Sequence, residues 1–300
     1  MTFTAAKVDM AAIRVMPRRP VPAQIRRRRL LYDVANHSLA IVVAIVFIFP
    51  LAIVFFTAFM THQQLGTGHL LPHPWYFGNF SKVIHDIPFM RYLANTIIYA
   101  VLATVGVVLS SIPVAYAFSR LQWRGRDATF LLVLATMMLP AQVTSVSLYI
   151  VFTRLHWIGT LLPLIVPTFF GDAFTIFLLR QFFLTIPQEL SEAARVDGAS
   201  EWQILTRVVV PLAKPAVAAV ALFQFLYAWN DFYNPLLYTG NSANNMTLAV
   251  GLTQFTTLAR GNAYEIQMAA SLMFIVPVII IFFLAQKVFV EGVTLTGVKG

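Results

Sequence analysis

The sequence contains no cysteine and few charged residues. Of its 300 residues, 11% are Asp, Glu, Lys or Arg, whereas 59% are hydrophobic. Soluble domains average about 25% charged and about 45–50% apolar residues, so this composition excludes an ordinary soluble domain and intrinsic disorder. The lack of cysteine excludes a disulfide framework, thiolate metal sites and cysteine nucleophiles. The chain is therefore expected to lie in a membrane.

Long apolar runs are present instead of polar segments. A hydrocarbon core of about 30 Å needs about 20 apolar residues in a helix. Six runs meet this length: 39–59, 93–118, 130–152, 161–179, 213–237 and 268–288. The fourth run is interrupted by Pro163, Pro167 and Gly171. The sequence predicts an all-α polytopic membrane protein with six transmembrane helices. The first run is interpreted as a signal anchor, because no small-residue cleavage site follows it.

The distribution of lysine and arginine predicts the orientation. An even number of spans places both termini on one side. The other side then carries only four of the 21 basic residues: Lys82, Arg91, Arg154 and Arg260. Because cytoplasmic loops are enriched in Lys and Arg, both termini are predicted to be cytoplasmic, with residues 1–33 as a basic tail. The net charge of +9 then comes from basic residues that set this orientation and contact lipid headgroups. Nucleic-acid binding is not needed to explain it.

A long connection separates the fourth and fifth runs, and it covers residues 180–215. Thr185 and Gln188 have the spacing of a capping box, so a helix is predicted to begin there and to end at Gly198. Ser200 predicts the start of a second short helix. Together these helices form an elbow at the cytosolic face. An amphipathic interfacial helix and a docking site for another protein both fit this pattern.

Three strings in the chain carry a resemblance to a known family. They are EAARVDGA at 192–199 with the prolines that follow it, AWND at 228–231 with Asn234-Pro235, and the C-terminal run at 291–300. The first string resembles the EAA loop of ABC importer permeases, the inner-membrane components of binding-protein-dependent transport. The other two are similar to the carbohydrate branch, the maltose-type permeases. The C-terminal run differs slightly, with Thr294-Leu295-Thr296 where that branch more often has Leu-Thr-Ala.

The resemblance covers about residues 93–300 and implies the type I ABC importer permease architecture. Residues 34–300 would be the transmembrane permease domain in a prokaryotic inner membrane, with a coupling loop at about 185–215. The implied ATPase-coupling residues are Glu189, Glu192, Ala193, Ala194, Asp197 and Gly198.

The resemblance also implies partners. They are a homologous second permease, two ATPase subunits, an extracytoplasmic binding protein, and a sugar or related solute such as an amino sugar or a glycerol phosphate. The chain itself would be a non-catalytic subunit without a bound cofactor, and ATP-Mg would be held by the ATPase subunits.

Two acids lie inside the predicted spans, Asp172 in the fourth and Asp231 in the fifth. Charged groups in a bilayer are costly and mark functional sites by default. At helical spacing, Asp231 shares one face with three further polar residues: Gln224, Tyr227 and Asn234. Amide, phenol and carboxylate groups suit a hydroxyl-rich ligand, so these five residues are candidates for a substrate pathway. Hydrogen bonding between helices or to a partner subunit also explains them, and both interpretations stay open.

Motifs of other function classes are missing from the sequence. No G-x-x-x-x-G-K-S/T string occurs, so ATP binding by this chain is not expected. His69 and His73 are separated by Pro72 and have no third ligand nearby, so no metal site is predicted. A self-sufficient secondary transporter is the main alternative, although such proteins usually show internal repeats and more spans. A polytopic membrane enzyme would need a cluster of His, Asp or Glu at a membrane face, and the sequence offers none.

Overall fold

A computed structural model describes residues 23–240, 242–258 and 263–297 of the chain. Every regular element in these ranges is helical, which confirms the all-α fold class. The helices are α1 (Ala23–Ala58), α2 (His62–Leu65), α3 (Gly78–Asp86), α4 (Phe89–Arg120), α5 (Arg126–Thr136), α6 (Ala141–Arg154), α7 (Leu162–Ile165), α8 (Ala173–Thr185), α9 (Gln188–Val196), α10 (Glu201–Ile204), α11 (Val210–Leu212), α12 (Lys214–Asn230), α13 (Tyr233–Thr239), α14 (Leu248–Leu258) and α15 (Tyr264–Gly297). A 3-10 segment covers Val166–Phe170, and a π-helical segment covers Leu205–Val209. Most of the predicted basic tail, Arg260 and the last three residues of the C-terminal run lie outside the described residues.

The chain divides into two compact units. The first unit is Met1–Ile53, and its described part belongs to α1. The second unit is Val54–Gly300 and holds α2 to α15. Both sites considered below belong to the second unit.

Four segments in the described residues are long and apolar enough to cross a bilayer: Tyr32–Ala58, Phe89–Arg120, Leu162–Thr185 and Tyr264–Phe283. They correspond to the first, second, fourth and sixth predicted runs. A fifth candidate is the pair Glu201–Leu212 and Lys214–Asn230, which is bent by 81°. Its second part corresponds to the fifth predicted run. The predicted count of six spans is therefore not fully confirmed, because the third run has no counterpart among these segments.

The third predicted run, 130–152, is not one helix. Helix α5 ends at Thr136 and α6 begins at Ala141 after a turn. Pro140 explains the break, because proline has no N–H to donate and its ring disfavours a helical conformation in the residue before it. The two helices have 11 and 14 residues. At about 1.5 Å per residue, each is shorter than a hydrocarbon core of about 30 Å. The expectation of one continuous span is therefore wrong.

The predicted interruption of the fourth run is confirmed. The chain passes from α7 through the 3-10 segment to Gly171, whose φ of +95° is readily adopted by glycine. Asp172 then caps α8, because its carboxylate accepts a hydrogen bond of 2.7 Å from the backbone N–H of Thr175. The acid found inside this span is thus the N-cap of a half-helix.

Helix α4 packs against α8 and α12 in the centre of the second unit. The contact face of α4 carries small residues, and Ala100, Ala103 and Ala115 are fully buried. At Gly106 the approach is so close that a Cβ atom would lie 2.4 Å from Oγ1 of Thr168. Small residues are usual at such interfaces because they let helix backbones come close together.

Two hydrogen bonds show that α4 lies alongside the segment from the 3-10 helix to α8. The hydroxyl of Ser110 donates to the carbonyl of Thr168 at 3.1 Å. Further on, Nε of Arg180 donates to the carbonyl of Phe118 at 3.2 Å. Later residues of α4 therefore contact later residues of α8.

Candidate functional site

The elbow predicted between the fourth and fifth runs is present as α9, a turn and α10. Gly198, with a φ of +83°, provides the left-handed residue that commonly follows the end of a helix. Ser200 begins α10 with a capping box. Its hydroxyl accepts from the N–H of Gln203, whose Oε1 accepts from the N–H of Ser200 at 2.8 Å. The predicted stop at Gly198 and start at Ser200 are confirmed.

The capping box predicted for the start of α9 is wrong. Thr185 is the last residue of α8, and its hydroxyl donates to the carbonyl of Phe182 at 2.7 Å. Helix α9 begins at Gln188 without a side-chain cap. Ile186 and Pro187 have ψ angles of 130° and 136°. Because these two residues are extended, Thr185 stays with the preceding helix and cannot cap the next one.

The six predicted coupling residues lie together on the elbow. Ala194 is half-buried and packs against the core, while the other five are exposed: Glu189, Glu192, Ala193, Asp197 and Gly198. Val196 beside them is 89% exposed. The elbow therefore presents three carboxylates and an apolar side chain on its outer face.

Glu201 joins the elbow to helix α4. Its Oε1 accepts hydrogen bonds from Nε and Nη2 of Arg195 at 2.9 and 2.7 Å, and its Oε2 accepts one of 2.6 Å from the hydroxyl of Tyr116. Such charge-assisted hydrogen bonds are stronger than neutral ones. The hydrogen bond from Arg195 to this carboxylate raises the pKa of the guanidinium above its ordinary value. Arg195 belongs to α9 and Tyr116 to α4, so one carboxylate is hydrogen-bonded to both helices. We call Tyr116, Arg195 and Glu201 together the Glu201 bridge.

Two arginines, Arg120 and Arg180, tie the ends of α4 and α8 to each other, and we call them the arginine clamp. Nη2 of Arg120 donates to the carbonyl of Phe183 at 2.6 Å and to that of Ile186. Phe183 lies in the last turn of α8, where its carbonyl also accepts from the backbone N–H of Ile186 at 3.3 Å, and Ile186 is the residue that follows the helix. Arg120 thus adds a side-chain donor where the regular helical donors end. Arg180, whose hydrogen bond to α4 is given above, lies 4.2 Å from the ring centre of Phe130 in α5, which is within cation–π range.

The polar stripe predicted for the fifth span is interrupted at Asp231. Helix α12 ends one residue earlier, and Asp231 has an extended ψ of 118°. Pro235 explains the break, because in a continuous helix its ring would clash with the carbonyl four residues before it. The carboxylate instead accepts hydrogen bonds from the hydroxyl of Tyr99 at 2.8 Å and from Nδ2 of Asn234 at 3.0 Å. The expectation that Asp231 continues one helical face is therefore wrong.

Two adjoining clefts of about 460 and about 640 Å³ lie beside α4 and α12. Gln224 and Tyr227 line both of them, Asn234 lines the first, and Asp172 lines the second. Four of the five predicted pathway residues are thus brought to one continuous region. Asp231 lines neither cleft, but it holds Tyr99 and Asn234, which line the first.

The lining of the clefts suits an uncharged polar ligand. Aromatic rings come from Tyr99, Trp157, Tyr227 and Tyr238, while Gln224 and other residues add amides and hydroxyls. Pockets of this kind fix a ligand with a few polar groups on an apolar wall. Among the described residues that line the two clefts, none is Lys, Arg or His. The part of the chain that the structure describes also holds no group of His, Cys, Asp or Glu that could bind a metal ion.

Several contributors were missed by sequence reasoning: Tyr99, Trp157, Tyr238 and Tyr116. Single aromatic residues are common in membrane helices and at their ends, so none of these positions stands out from an apolar run. Glu201 follows the predicted helix start at Ser200, and the sequence does not indicate its partner. Tyr116 and Glu201 are 85 positions apart in the sequence, so their pairing can be recognised only in the folded structure.

Membrane-spanning helices, a polar cleft beside them and an exposed elbow before the fifth predicted run define the permease class of transport proteins. The chain belongs to the family of binding-protein-dependent transport system inner membrane components, whose model matches residues 106–294. The resemblance inferred from the elbow motif is therefore confirmed.

Relatives and solved structures are similar over nearly the whole chain. It is 32% identical over 263 residues to the arabinooligosaccharides transport system permease protein AraQ of Halalkalibacterium halodurans, covering 86% of this chain and 93% of the relative. It is 31% identical over 276 residues to the sn-glycerol-3-phosphate transport system permease protein UgpE of Yersinia pestis, covering 89% and 98%. It is also similar to a crystal structure of a bacterial ABC transporter involved in the import of the acidic polysaccharide alginate. That match has a TM-score of 0.75 and 28% identity, and it covers 89% of this chain and 99% of the other.

Proposed function

We propose that this chain is the permease subunit of an ATP-driven importer and forms half of the translocation pathway for a sugar or related polar solute. The observation that carries the proposal is the exposed acidic elbow, α9 to α10, in a chain of the binding-protein-dependent family. The names of the relatives support the solute class, since they refer to arabinooligosaccharides and glycerol phosphate, and the similar solved structure belongs to an alginate importer.

The elbow is the surface that we assign to a cytosolic ATPase. Glu189, Glu192 and Asp197 offer negative charge to basic groups of the ATPase, and Val196 offers an apolar contact. The small side chain of Ala193 admits a close approach. Two ATPase subunits would bind and hydrolyse ATP-Mg, so this chain contributes no catalytic group. A second, homologous permease and an extracytoplasmic binding protein would complete the importer.

The clefts are the part of the pathway that we assign to this subunit. The exposed rings of Tyr227 and Phe170 in the first cleft can stack on the apolar face of a sugar, while amides such as that of Gln224 bind its hydroxyl groups. Anionic solutes such as phosphates are usually bound by Arg or Lys. The described lining residues include no such cation and do include Asp172. We therefore infer that the lining of this subunit favours neutral, hydroxyl-rich groups, and in this it departs from the anionic solutes named for UgpE and for the alginate transporter.

Copurification tests the coupling role. The ATPase should be retained by the intact chain in a membrane extract and lost when residues 189–198 are deleted. Glu192→Lys should weaken the association, because the substitution reverses the charge of an exposed elbow residue. Asp127→Lys, at an exposed acid of α5 outside the elbow, is the matched control and should retain the ATPase. Retention by the deleted chain would contradict the assignment.

Stimulated ATP hydrolysis tests the solute class. The assembled complex in lipid nanodiscs, with its binding protein, should hydrolyse ATP faster with neutral oligosaccharides than with glycerol phosphate or uronic-acid oligosaccharides. Preferential stimulation by the anionic compounds would show that the inference from the cleft lining is wrong, without affecting the coupling role.

A further inference from the structure

We propose that the Glu201 bridge is a mechanical link through which movement of the elbow is passed to helix α4. The proposal rests on the proposed function, in which a cytosolic ATPase moves the elbow. Tyr116, Arg195 and Glu201 are then positioning residues, which touch neither nucleotide nor solute. Their task is to make α9, α10 and α4 move together.

The elbow makes few polar contacts with the rest of the bundle, and this is why a directed link matters. Helix α9 follows α8 through the extended pair Ile186 and Pro187, which does not continue the helix. Among the described side chains of α9, Arg195 is the one with recorded hydrogen bonds that leave the helix, and they end on Glu201. Ser191 is buried on the inner side of α9, and its hydroxyl has no hydrogen-bond partner in the structure. The other attachments are the apolar packing of Ala194 and Ala199 against the core and the chain itself, which continues from α10 through Leu205–Val209 into α11. Neither of them contacts α4 through a directed hydrogen bond.

The bridge ends on a rigid part of the bundle. Tyr116 is 3% exposed, and its ring is held in a core cluster together with Phe183 of α8 and Phe130 of α5. Arg120 lies one turn further along α4 and holds the end of α8 through the arginine clamp. A displacement that reaches Tyr116 therefore acts on α4 and α8 as one body.

The same two helices line the clefts, which connects the elbow to the solute pathway. Helix α4 contributes Tyr99 to the first cleft and Val107 to the second. Asp172 and Thr175, at the start of α8, line the second cleft. The Glu201 bridge thus contacts α4 near its carboxyl end, whereas earlier residues of α4 and the start of α8 line the clefts.

Conservative substitutions can open the bridge without removing packing. Tyr116→Phe keeps the buried ring and deletes the hydroxyl that donates to Glu201. Glu201→Gln keeps the shape of the side chain and deletes the charge that both partners use. Tyr76→Phe is the matched control, because Tyr76 is an exposed tyrosine in the loop before α3.

The experiment uses the full importer in lipid nanodiscs and in proteoliposomes, with the ATPase, the second permease and the binding protein present. Copurification of the ATPase is measured first, and all variants should retain it. The number of solute molecules imported per ATP hydrolysed should then fall roughly tenfold in Tyr116→Phe and in Glu201→Gln, the scale of one hydrogen bond to a charged group. The double variant should fall no further than either single variant, because each one opens the same link. The Tyr76→Phe control should import as the unmodified chain does.

A distance measurement within the chain provides a second test for variants that assemble poorly with the partner subunits. Since the chain has no cysteine, paramagnetic labels can be placed at Leu190→Cys on α9 and Leu109→Cys on α4, which are both exposed and lie outside the residues assigned to ATPase docking. The label-to-label distance should stay narrow with and without ATP, and Glu201→Gln should broaden it. Unchanged coupling or an unchanged distance distribution in the bridge variants would overturn the link. Loss of the ATPase from the unmodified chain would instead overturn the proposed function.

Discussion

The buried hydroxyl of Tyr99 donates a hydrogen bond of 2.8 Å to the carboxylate of Asp231. This bond joins α4 to the break between α12 and α13. Tyr99 is 3% exposed, and a buried hydroxyl needs a partner because it has lost its contact with water. Asp231 therefore holds two elements together as well as ending a helix.

Removing the carboxylate should destabilise the protein. We expect Asp231→Ala to lower the free energy of unfolding by about 1–3 kcal/mol, since the hydroxyl of Tyr99 is left unsatisfied. Asp231→Asn should cost less, because an amide oxygen still accepts the bond. Thermal unfolding in detergent measures the difference. Adding Tyr99→Phe to Asp231→Ala should cause little further loss, and an unchanged midpoint in Asp231→Ala would contradict the prediction.

Gly106 should not tolerate a larger side chain. A Cβ there would lie 2.4 Å from Oγ1 of Thr168 and 2.8 Å from the ring of Phe169. In Gly106→Ala, overpacking of about 1–3 kcal/mol outweighs the helix-propensity gain of about 1 kcal/mol, so the unfolding midpoint should fall. Gly66→Ala is the control, because the nearest atom to its new Cβ is 3.7 Å away. Equal midpoints for the two variants would argue against close packing at Gly106.

The elbow turn should be sensitive to charge as well as to shape. Gly198→Asp places a side chain at a φ of +83°, which costs about 1–2 kcal/mol, and it adds a carboxylate to the docking face. We expect it to abolish uptake while the protein still reaches the membrane. Gly125→Asp is the matched control. It has the same backbone strain, with a φ of +87°, but it lies outside the elbow and should retain uptake. Similar uptake in both variants would mean that the turn has no special role.

The amide of Gln224 should matter for transport and not for assembly. Gln224→Leu keeps most of the volume and removes polar atoms from both clefts. Uptake of the solute should fall by about tenfold, the scale of one lost hydrogen bond to the solute, while the ATPase still copurifies. Gln63→Leu, an exposed position of α2, is the control. Full uptake by Gln224→Leu would favour a packing role for this residue.

The success of the sequence predictions depended on whether the deciding interaction is local. The break at Gly171 and the turn at Gly198 follow from the backbone preferences of single residues, so both could be predicted. Hydropathy predicts one helix over 130–152 because it weighs composition and is insensitive to the break at Pro140. The capping-box pattern of Thr185 and Gln188 is misleading because the two residues lie on either side of a junction between two helices. The pairing of Tyr116 with Glu201 is set by tertiary contact and leaves no trace in the sequence.

The order of contacts along α4 and α8 determines how the chain threads through the membrane. Ser110 meets Thr168, Phe118 meets Arg180, and Arg120 meets Phe183. The two segments therefore run in parallel, and their carboxyl ends emerge at the same face. The chain leaves α4 at that face of the membrane and has to enter the segment of α8 from the opposite face. It therefore has to cross the membrane an odd number of times between the two. Residues 121–161 provide only α5 and α6 for this crossing. Although each is too short alone, we expect the pair broken at Pro140 to make the return.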